Sequence, residues 1–324
     1  MKKHIVGLGH ALTDLISNTS VSFISDNGLE YGGMKLLSEI QTKKILKSFP
    51  DHVQNTGGST ANTMYHLSHL GHSVELVTSI GNDQYGKKFH EDFTNNGVVI
   101  DQGCIKHSAS HLSIICVTPD SERSMGTFIN EKIPITESLI EPVKLDKANF
   151  LYLESYLWCH EHSHKSAEKA AQIARSNQCN IIITLSDQSC VKQHHSQLFP
   201  FIIKNCKYVF ANHEEICALM QTYHIDEAKQ KCQLFLDINW IITEGRHGAT
   251  IISGNRHIHI PAISVPKVID KTGAGDLFAA GFIHGLMLDA PLYSCGHYAS
   301  RAASAVIQEV GARINQTPSL TSNR

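Results

Sequence analysis

The stretch Asp270-Lys271-Thr272-Gly273-Ala274-Gly275-Asp276, followed by Leu277-Phe278-Ala279-Ala280-Gly281-Phe282-Ile283-His284-Gly285-Leu286, decides how the chain is read. A short loop runs straight into an apolar helix. Gly273 and Gly275 remove side chains at the turn, so backbone N–H groups can point outward at the helix start, where the dipole is positive. Such a start is an anion site, and phosphate is its usual guest. Asp276 is the odd residue there. A carboxylate inside a phosphate cradle repels the ligand unless it has a task. Accepting a proton from a hydroxyl that attacks the phosphate is such a task. The plain alternative is a Gly-rich turn with Asp at a helix start, a place Asp favours anyway.

A second stretch lies far upstream, at Asn55-Thr56-Gly57-Gly58-Ser59-Thr60-Ala61-Asn62. Two glycines again lead into a helix, which carries Met64, Leu67 and Leu70 and stops at Gly71. Asn62 both donates and accepts, which suits a substrate with vicinal hydroxyls. Taken alone, the stretch reads as a capped surface helix.

Together the two stretches, Gly-Gly-x-x-x-Asn early and a D-x-T-G-A-G-D element late, resemble the two signatures of the ribokinase/PfkB carbohydrate kinase family. The resemblance runs over nearly the whole chain. It takes in Gly7-Leu8-Gly9 with Asp14, Gly81-Asn82-Asp83-Gln84-Tyr85-Gly86, Glu122-Arg123-Ser124, Asn212-His213-Glu214-Glu215 and Thr243-Glu244-Gly245-Arg246-His247-Gly248-Ala249. Gly28-Leu29-Glu30-Tyr31-Gly32-Gly33-Met34 and the run Val306 to Arg313 look most like the adenosine-kinase-like branch. The resemblance implies an α/β fold, ribokinase-like and Rossmann-type, with a doubly wound, mainly parallel sheet flanked by helices. One kinase domain, 1–324, would carry a small β-sheet lid built from about 12–37 and 113–128. A lid suits phosphoryl transfer, because open water would compete as acceptor.

The bounds of the chain agree. With 324 residues it can bury one large α/β core. A net charge of −2 gives no electrostatic case for nucleic acid. No apolar run is long enough to span a membrane, and the start, Met1-Lys2-Lys3-His4, lacks a signal-peptide pattern. Nine cysteines without paired spacing read as reduced thiols, so a cytoplasmic location is expected.

Other local patterns have plain readings. Gly7-x-Gly9 lacks the third glycine of a dinucleotide fingerprint, since position 12 is Leu12. Gly81 to Lys87 satisfies G-x-x-x-x-G-K, but Lys88 stands where Ser or Thr must hold magnesium, so a structural turn followed by a solvated helix face is expected. His160-Glu161-His162-Ser163-His164 looks like a metal run, yet only His160 and His164 share a helical face, and a solvated helix start is expected. Ser73 to Ile80 alternates as a strand. From Asn149 onward, apolar strands at 150–153, 181–185, 207–210 and 240–243 alternate with helices, which argues for a parallel sheet with ligands at its carboxyl end.

The resemblance then assigns roles. Asp276 would be the base, and the N–H groups of Gly273, Ala274 and Gly275 would hold the transferring phosphoryl. Asp14, Gly57, Gly58 and Asn62 would hold the sugar, with Arg123 reaching from the lid and Tyr156 near the sugar or aglycone. His10 replaces the Asn usual in this branch. Asn212, Thr243, Gly245, Gly248, Lys271 and Thr272 would line the nucleotide, with Lys271 replacing the usual Thr. A lysine there either binds phosphate as a point charge or projects into solvent. Glu215 would act on Mg2+ through water, although Asn212 and Glu215 also spell a capping box. The expected function is an ATP- and Mg2+-dependent kinase acting on a nucleoside such as adenosine. A requirement for K+ stays open, as does a monomer against a homodimer through the lid. The alternatives are a free-sugar kinase of the ribokinase, fructokinase or 2-keto-3-deoxygluconate type, and a non-catalytic sensor of nucleotide or sugar. The tail beyond Arg313 reads as polar and loose.

Overall fold

The computed structural model describes residues 3–120, 122–140 and 145–314. The tail expected to be loose lies, from residue 315 on, outside them. Among the described residues there are sixteen strands: β1 His4–Leu8, β2 Leu12–Asn18, β3 Met34–Leu36, β4 Val53–Gly57, β5 Ser73–Val77, β6 Ile80–Gly81, β7 Val98–Val99, β8 Ile105–Lys106, β9 His111–Val117, β10 Arg123–Phe128, β11 Phe150–Glu154, β12 Asn180–Thr184, β13 Tyr208–Asn212, β14 Asn239–Thr243, β15 Ala249–Ser253 and β16 Arg256–Ile260.

A nine-stranded sheet runs in the order β16-β15-β14-β13-β12-β11-β1-β5-β7. It is parallel from β7 to β14, and only β15 and β16 turn antiparallel. Its central strands are nearly continuous apolar runs because helices cover both faces, so no alternation is required. Phe150, Leu151, Tyr152 and Leu153 on β11 are all buried. The helix Glu161–Ser176 lies down through small residues, burying Ala167, Ala170, Ala171 and Ala174. The apolar helix Ala274–Met287 is sealed by Leu292–Val306. Their axes come close because glycines face the contact. A Cβ on Gly281 would stand 2.6 Å from the Tyr298 carbonyl oxygen.

A second, five-stranded sheet has the order β3-β10-β9-β2-β4. It covers both segments read as strand-rich, with two differences. Residues 21–26 form a short helix capped by Ser20, whose hydroxyl accepts from the Phe23 N–H. The strand β4 was not foreseen, because Val53-Gln54-Asn55-Thr56-Gly57 is largely polar; pairing with β2 in the register Asp14 to Asn55 supplies the order its composition withholds. The alternation from Ser73 also breaks at Val77, and Ile80–Gly81 pairs with β8 instead. The Gly81–Gly86 turn is structural. Asp83 caps the following helix at the Gly86 N–H (2.9 Å) and also accepts from the Ser110 N–H and hydroxyl. Lys87 and Lys88 are exposed, as a solvated face requires.

Candidate active site

The two glycine-led helices meet at Asp276. The helix Ser59–His69 starts after Gly58, whose φ of 111° belongs to glycine, and a Cβ there would strike the His10 carbonyl oxygen at 2.2 Å. This start aims two side chains across the sheet. The Ser59 hydroxyl donates to Asp276 Oδ1 and Asn62 Nδ2 donates to Asp276 Oδ2, both at 2.9 Å. Thr63 Oγ1 donates to the Asp276 carbonyl at 3.2 Å. Burial pushes the Asp276 carboxyl up to about 7 against those hydrogen bonds, and the charges of Glu154 and Asp14 push the same way. Asn62 Oδ1 is buried and has no hydrogen-bond partner among the described residues.

Asp14 enters from β2, opposite Asn55 and Ser113. Burial raises it to about 6, although Arg123 and Arg313 oppose the shift. Gly57 leaves the room beside it, since a Cβ would lie 2.9 Å from Asp14 Oδ2. His10 is buried and its Nδ1 sits 2.9 Å from Glu154 Oε1. The same carboxylate accepts from the His10 and Thr60 N–H groups. Burial alone would raise Glu154, but the hydrogen bond and charge of His10, with those N–H groups, hold it below the usual range. His10, His111 and His160 line a cavity of about 390 Å³. His111 Nδ1 accepts from the Asn130 N–H, so its other nitrogen carries the proton; that Nε2 is buried without a hydrogen-bond partner among the described residues.

The Asp270 loop is held from several sides. Asp270 accepts from the Thr272 N–H and hydroxyl and, at 2.7 Å, from the Gly311 N–H. Arg123, on β10, pairs with Asp270 at 2.9 Å and donates to the Thr272 hydroxyl. Burial would raise Asp270, yet these groups outweigh it and hold it low. Gly273 takes a left-handed φ of 77° at the cap, packed on Ala312. At Gly275 a Cβ would meet no atom within 4 Å beyond its chain neighbours and its own helix backbone, so the space beside the helix start is open. The Ala274 N–H donates to the Lys271 carbonyl.

Several expected ligand groups therefore have protein partners in this structure. Arg123 and Thr272 bind Asp270, Ala274 closes the turn, and the Lys271 side chain is exposed to solvent. Gly248, with φ 87°, answers to packing: a Cβ would lie 2.0 Å from the Ile260 carbonyl oxygen. Gly245, with φ 57°, faces open space beside Thr243. Glu215 forms the capping box, accepting the Asn212 N–H and side-chain amide while its own N–H donates to Asn212. Burial lifts Glu215 to about 7, and Asp187, Glu214 and Asp276 add to the rise. A carboxylate such as Glu215, with the negative charges of Asp187, Glu214 and Asp276 acting on it, is a hard-oxygen group of the kind a hydrated divalent cation takes. Tyr156 is pushed up by burial and by Asp187, Glu154, Cys190 and Glu215 around it. Trp158 is core, edge-on to Phe201 at 4.7 Å. Ser59, Glu154 and Asp270 were passed over as site residues. Their signals were adjacency to Gly57-Gly58, an acid ending a buried strand, and an acid opening the Gly-rich loop.

Residues 36–319 match the pfkB family carbohydrate kinases. The chain belongs to that family. Pfkb-family kinases phosphorylate sugars or nucleosides, using ATP with a divalent metal, and this chain is a kinase of that class. A nucleoside kinase of Methanocaldococcus jannaschii is 25% identical over 269 residues, covering 80% of this chain and 81% of its own. A ribokinase of Bacillus subtilis is 26% identical over 261 residues, covering 79% and 83%. The solved adenosine kinase from Sinorhizobium meliloti superposes with a TM-score of 0.90 at 28% identity, covering 98% of this chain and 97% of its own. The sheet order and helical layers are thus those of the pfkB kinases, as the resemblance implied. No described helix is long and apolar enough to cross a membrane.

Proposed function

We propose that this kinase transfers the γ-phosphoryl of ATP to the primary hydroxyl of a ribose-bearing acceptor, a nucleoside of the adenosine type. The observation that carries this is Asp276, a carboxyl raised to about 7 and aimed by Ser59 and Asn62. A base works best with its pKa near the working pH. The unpartnered Asn62 Oδ1 beside it offers an acceptor to a sugar hydroxyl, and Asp14 offers another. The open face of Gly275 leaves its N–H, at the positive end of a fourteen-residue helix, for the transferring phosphoryl. Asn212, Thr243 and Gly245 would lie along the nucleotide. Mg2+ would be held near Glu215 through water, where it supplies positive charge to the phosphate oxygens. The second sheet would act as the lid.

The nucleoside reading rests on the histidine-lined cavity of about 390 Å³. His10 lines it and pairs with Glu154, which also holds the Thr60 N–H at the start of the Asn62 helix, so a base placed there would reach beyond what a free pentose fills. The adenosine kinase likeness at 28% identity supports the same reading.

ADP release from ATP and Mg2+ across adenosine, inosine, guanosine, cytidine, ribose, fructose and 2-keto-3-deoxygluconate tests it. Turnover with a nucleoside, lost in Asp276→Asn, is expected. Turnover with a free sugar alone would keep the base and overturn the acceptor.

A further inference from the structure

Cys159, Cys190 and His194 hold their donor atoms within 4.8 Å of one another, and phosphoryl transfer uses none of them. Cys159 closes the 3-10 turn Ser155–Cys159. Cys190 and His194 stand four residues apart, on one face of the helix Gln188–Asn205. Asp187 caps that helix by accepting from the Cys190 N–H at 2.8 Å, which fixes where the thiol starts. The two sulfurs are 3.5 Å apart, and the Cys190 thiol also lies 3.3 Å from the Ser155 carbonyl oxygen. His194 Nε2 is buried and has no hydrogen-bond partner among the described residues. A buried polar atom left unpaired costs folding free energy, so its retention asks for a ligand. The run His160 to His164 does not supply the site itself; His164 pairs with Glu168 at 3.3 Å, and it is the residue just before the run that converges with the other helix.

Two thiols and an imidazole are a soft donor set. Hard cations such as Mg2+ prefer oxygen, whereas zinc-type ions take sulfur and nitrogen in a compact tetrahedron. We propose that Cys159, Cys190 and His194 form a binding site for a zinc-type divalent cation, with the fourth position left to solvent beside the exposed Cys159. Binding releases the thiol protons to solvent. The ion would pin the turn that carries Tyr156 to the helix Gln188–Asn205, and so stiffen the wall of the cavity that Cys159 and His160 line. A disulfide between the two cysteines is the rival. It needs sulfurs about 2 Å apart, and here they stand at contact distance.

The full chain, reduced and stripped of metal, is titrated with Co2+ and then with Zn2+ against a chromogenic chelator. One equivalent of Co2+ should give the thiolate-to-cobalt charge-transfer band and intense tetrahedral visible bands, both displaced by Zn2+. Cys159→Ser and His194→Ala, checked for fold by circular dichroism, should each weaken Zn2+ binding by at least about 10–100-fold, the loss known for outer-shell partners alone. No charge-transfer band in the wild type, or unchanged affinity in both variants, overturns the site. So does loss of a pair of titratable thiols in air with no metal retained, which would make the cysteines a redox pair. The readout is spectroscopic, so its outcome is independent of which acceptor is phosphorylated.

Discussion

Asp276 owes its basicity to its surroundings. Burial and the charges of Glu154 and Asp14 raise it, while Ser59 and Asn62 hold its oxygens in place. Asp276→Asn should therefore lower kcat by about 10²–10⁴-fold while leaving substrate binding measurable by calorimetry. In the wild type, kcat/KM should rise with pH and level off above about 7, because Asp276 in the proposed role of base works deprotonated. A flat profile through that range would remove Asp276 as the titrating base. The two glycines of the turn should separate stability from activity. Gly275→Ala adds a methyl that meets no atom within 4 Å beyond its chain neighbours and its own helix backbone, so the fold should be unchanged or slightly more stable. The same methyl enters the space proposed for the transferring phosphoryl, and turnover should fall by about 10²–10³-fold. Gly273→Ala should instead lower the melting temperature, since φ is 77° and the added Cβ would stand 2.6 Å from Ala312. Asp276 and Asn62 were legible because each is a polar residue carried into a glycine-led apolar helix. Glu154 was not. An acid at a strand end is common, and its task depends on which helix crosses it and on His10 lying opposite, both of which are tertiary facts.

The central strands of the large sheet were legible for a physical reason, whereas β7, β15 and β16 at its edges were not read. Strands covered on both faces must be apolar throughout, and runs such as Asn180-Ile181-Ile182-Ile183-Thr184 admit few other readings. The small sheet is covered less, so its strands mix polar and apolar residues, and β4 went unseen. What ties that sheet to the rest is also invisible in sequence. Arg123 on β10 and Asp270 on the loop are 147 positions apart in numbering, yet they pair at 2.9 Å and share the Thr272 hydroxyl. Arg123→Ala would leave Asp270 buried without its cation. A hydrogen-bonded charge is worth about 1.5–3 kcal/mol, so if the contact closes the sheet over substrate, KM for the acceptor should rise roughly 10- to 100-fold. Hydrogen exchange should quicken in β9 and β10 in the same variant. Unchanged exchange there would show that the pair fixes the loop alone and does not anchor the sheet.

Across the whole molecule, the cleft gathers carboxyls that burial has raised: Asp14 to about 6 from the small sheet, Asp276 to about 7 at the centre and Glu215 to about 7 at the end of β13. Each binds a proton more readily in the folded chain than in the unfolded one. Their share of stability is thus fully present below the unfolded carboxylate range and is lost as pH rises through the folded values. Buried histidines pull the other way, since His66 is lowered to about 4 and His111 is also depressed by burial. They lose stability as pH falls below the ordinary histidine range, so the total profile mixes two opposite slopes. A difference between variants isolates one carboxyl. The melting temperature of Asp276→Asn minus that of the wild type should gain little from this charge at about pH 4, where Asp276 is protonated when folded, should grow as pH rises from there to about 7, and should level off above it. Stability given up for a basic carboxylate is the trade-off expected of a working site. A divalent cation held near Glu215, as proposed, would favour its charged form, so adding Mg2+ with ATP should stabilise the wild type more at pH 8 than at pH 5. A variant difference that stays constant from pH 4 to pH 8 would mean that Asp276 is not held at a cost in the folded chain, and the source of its basicity would have to lie elsewhere.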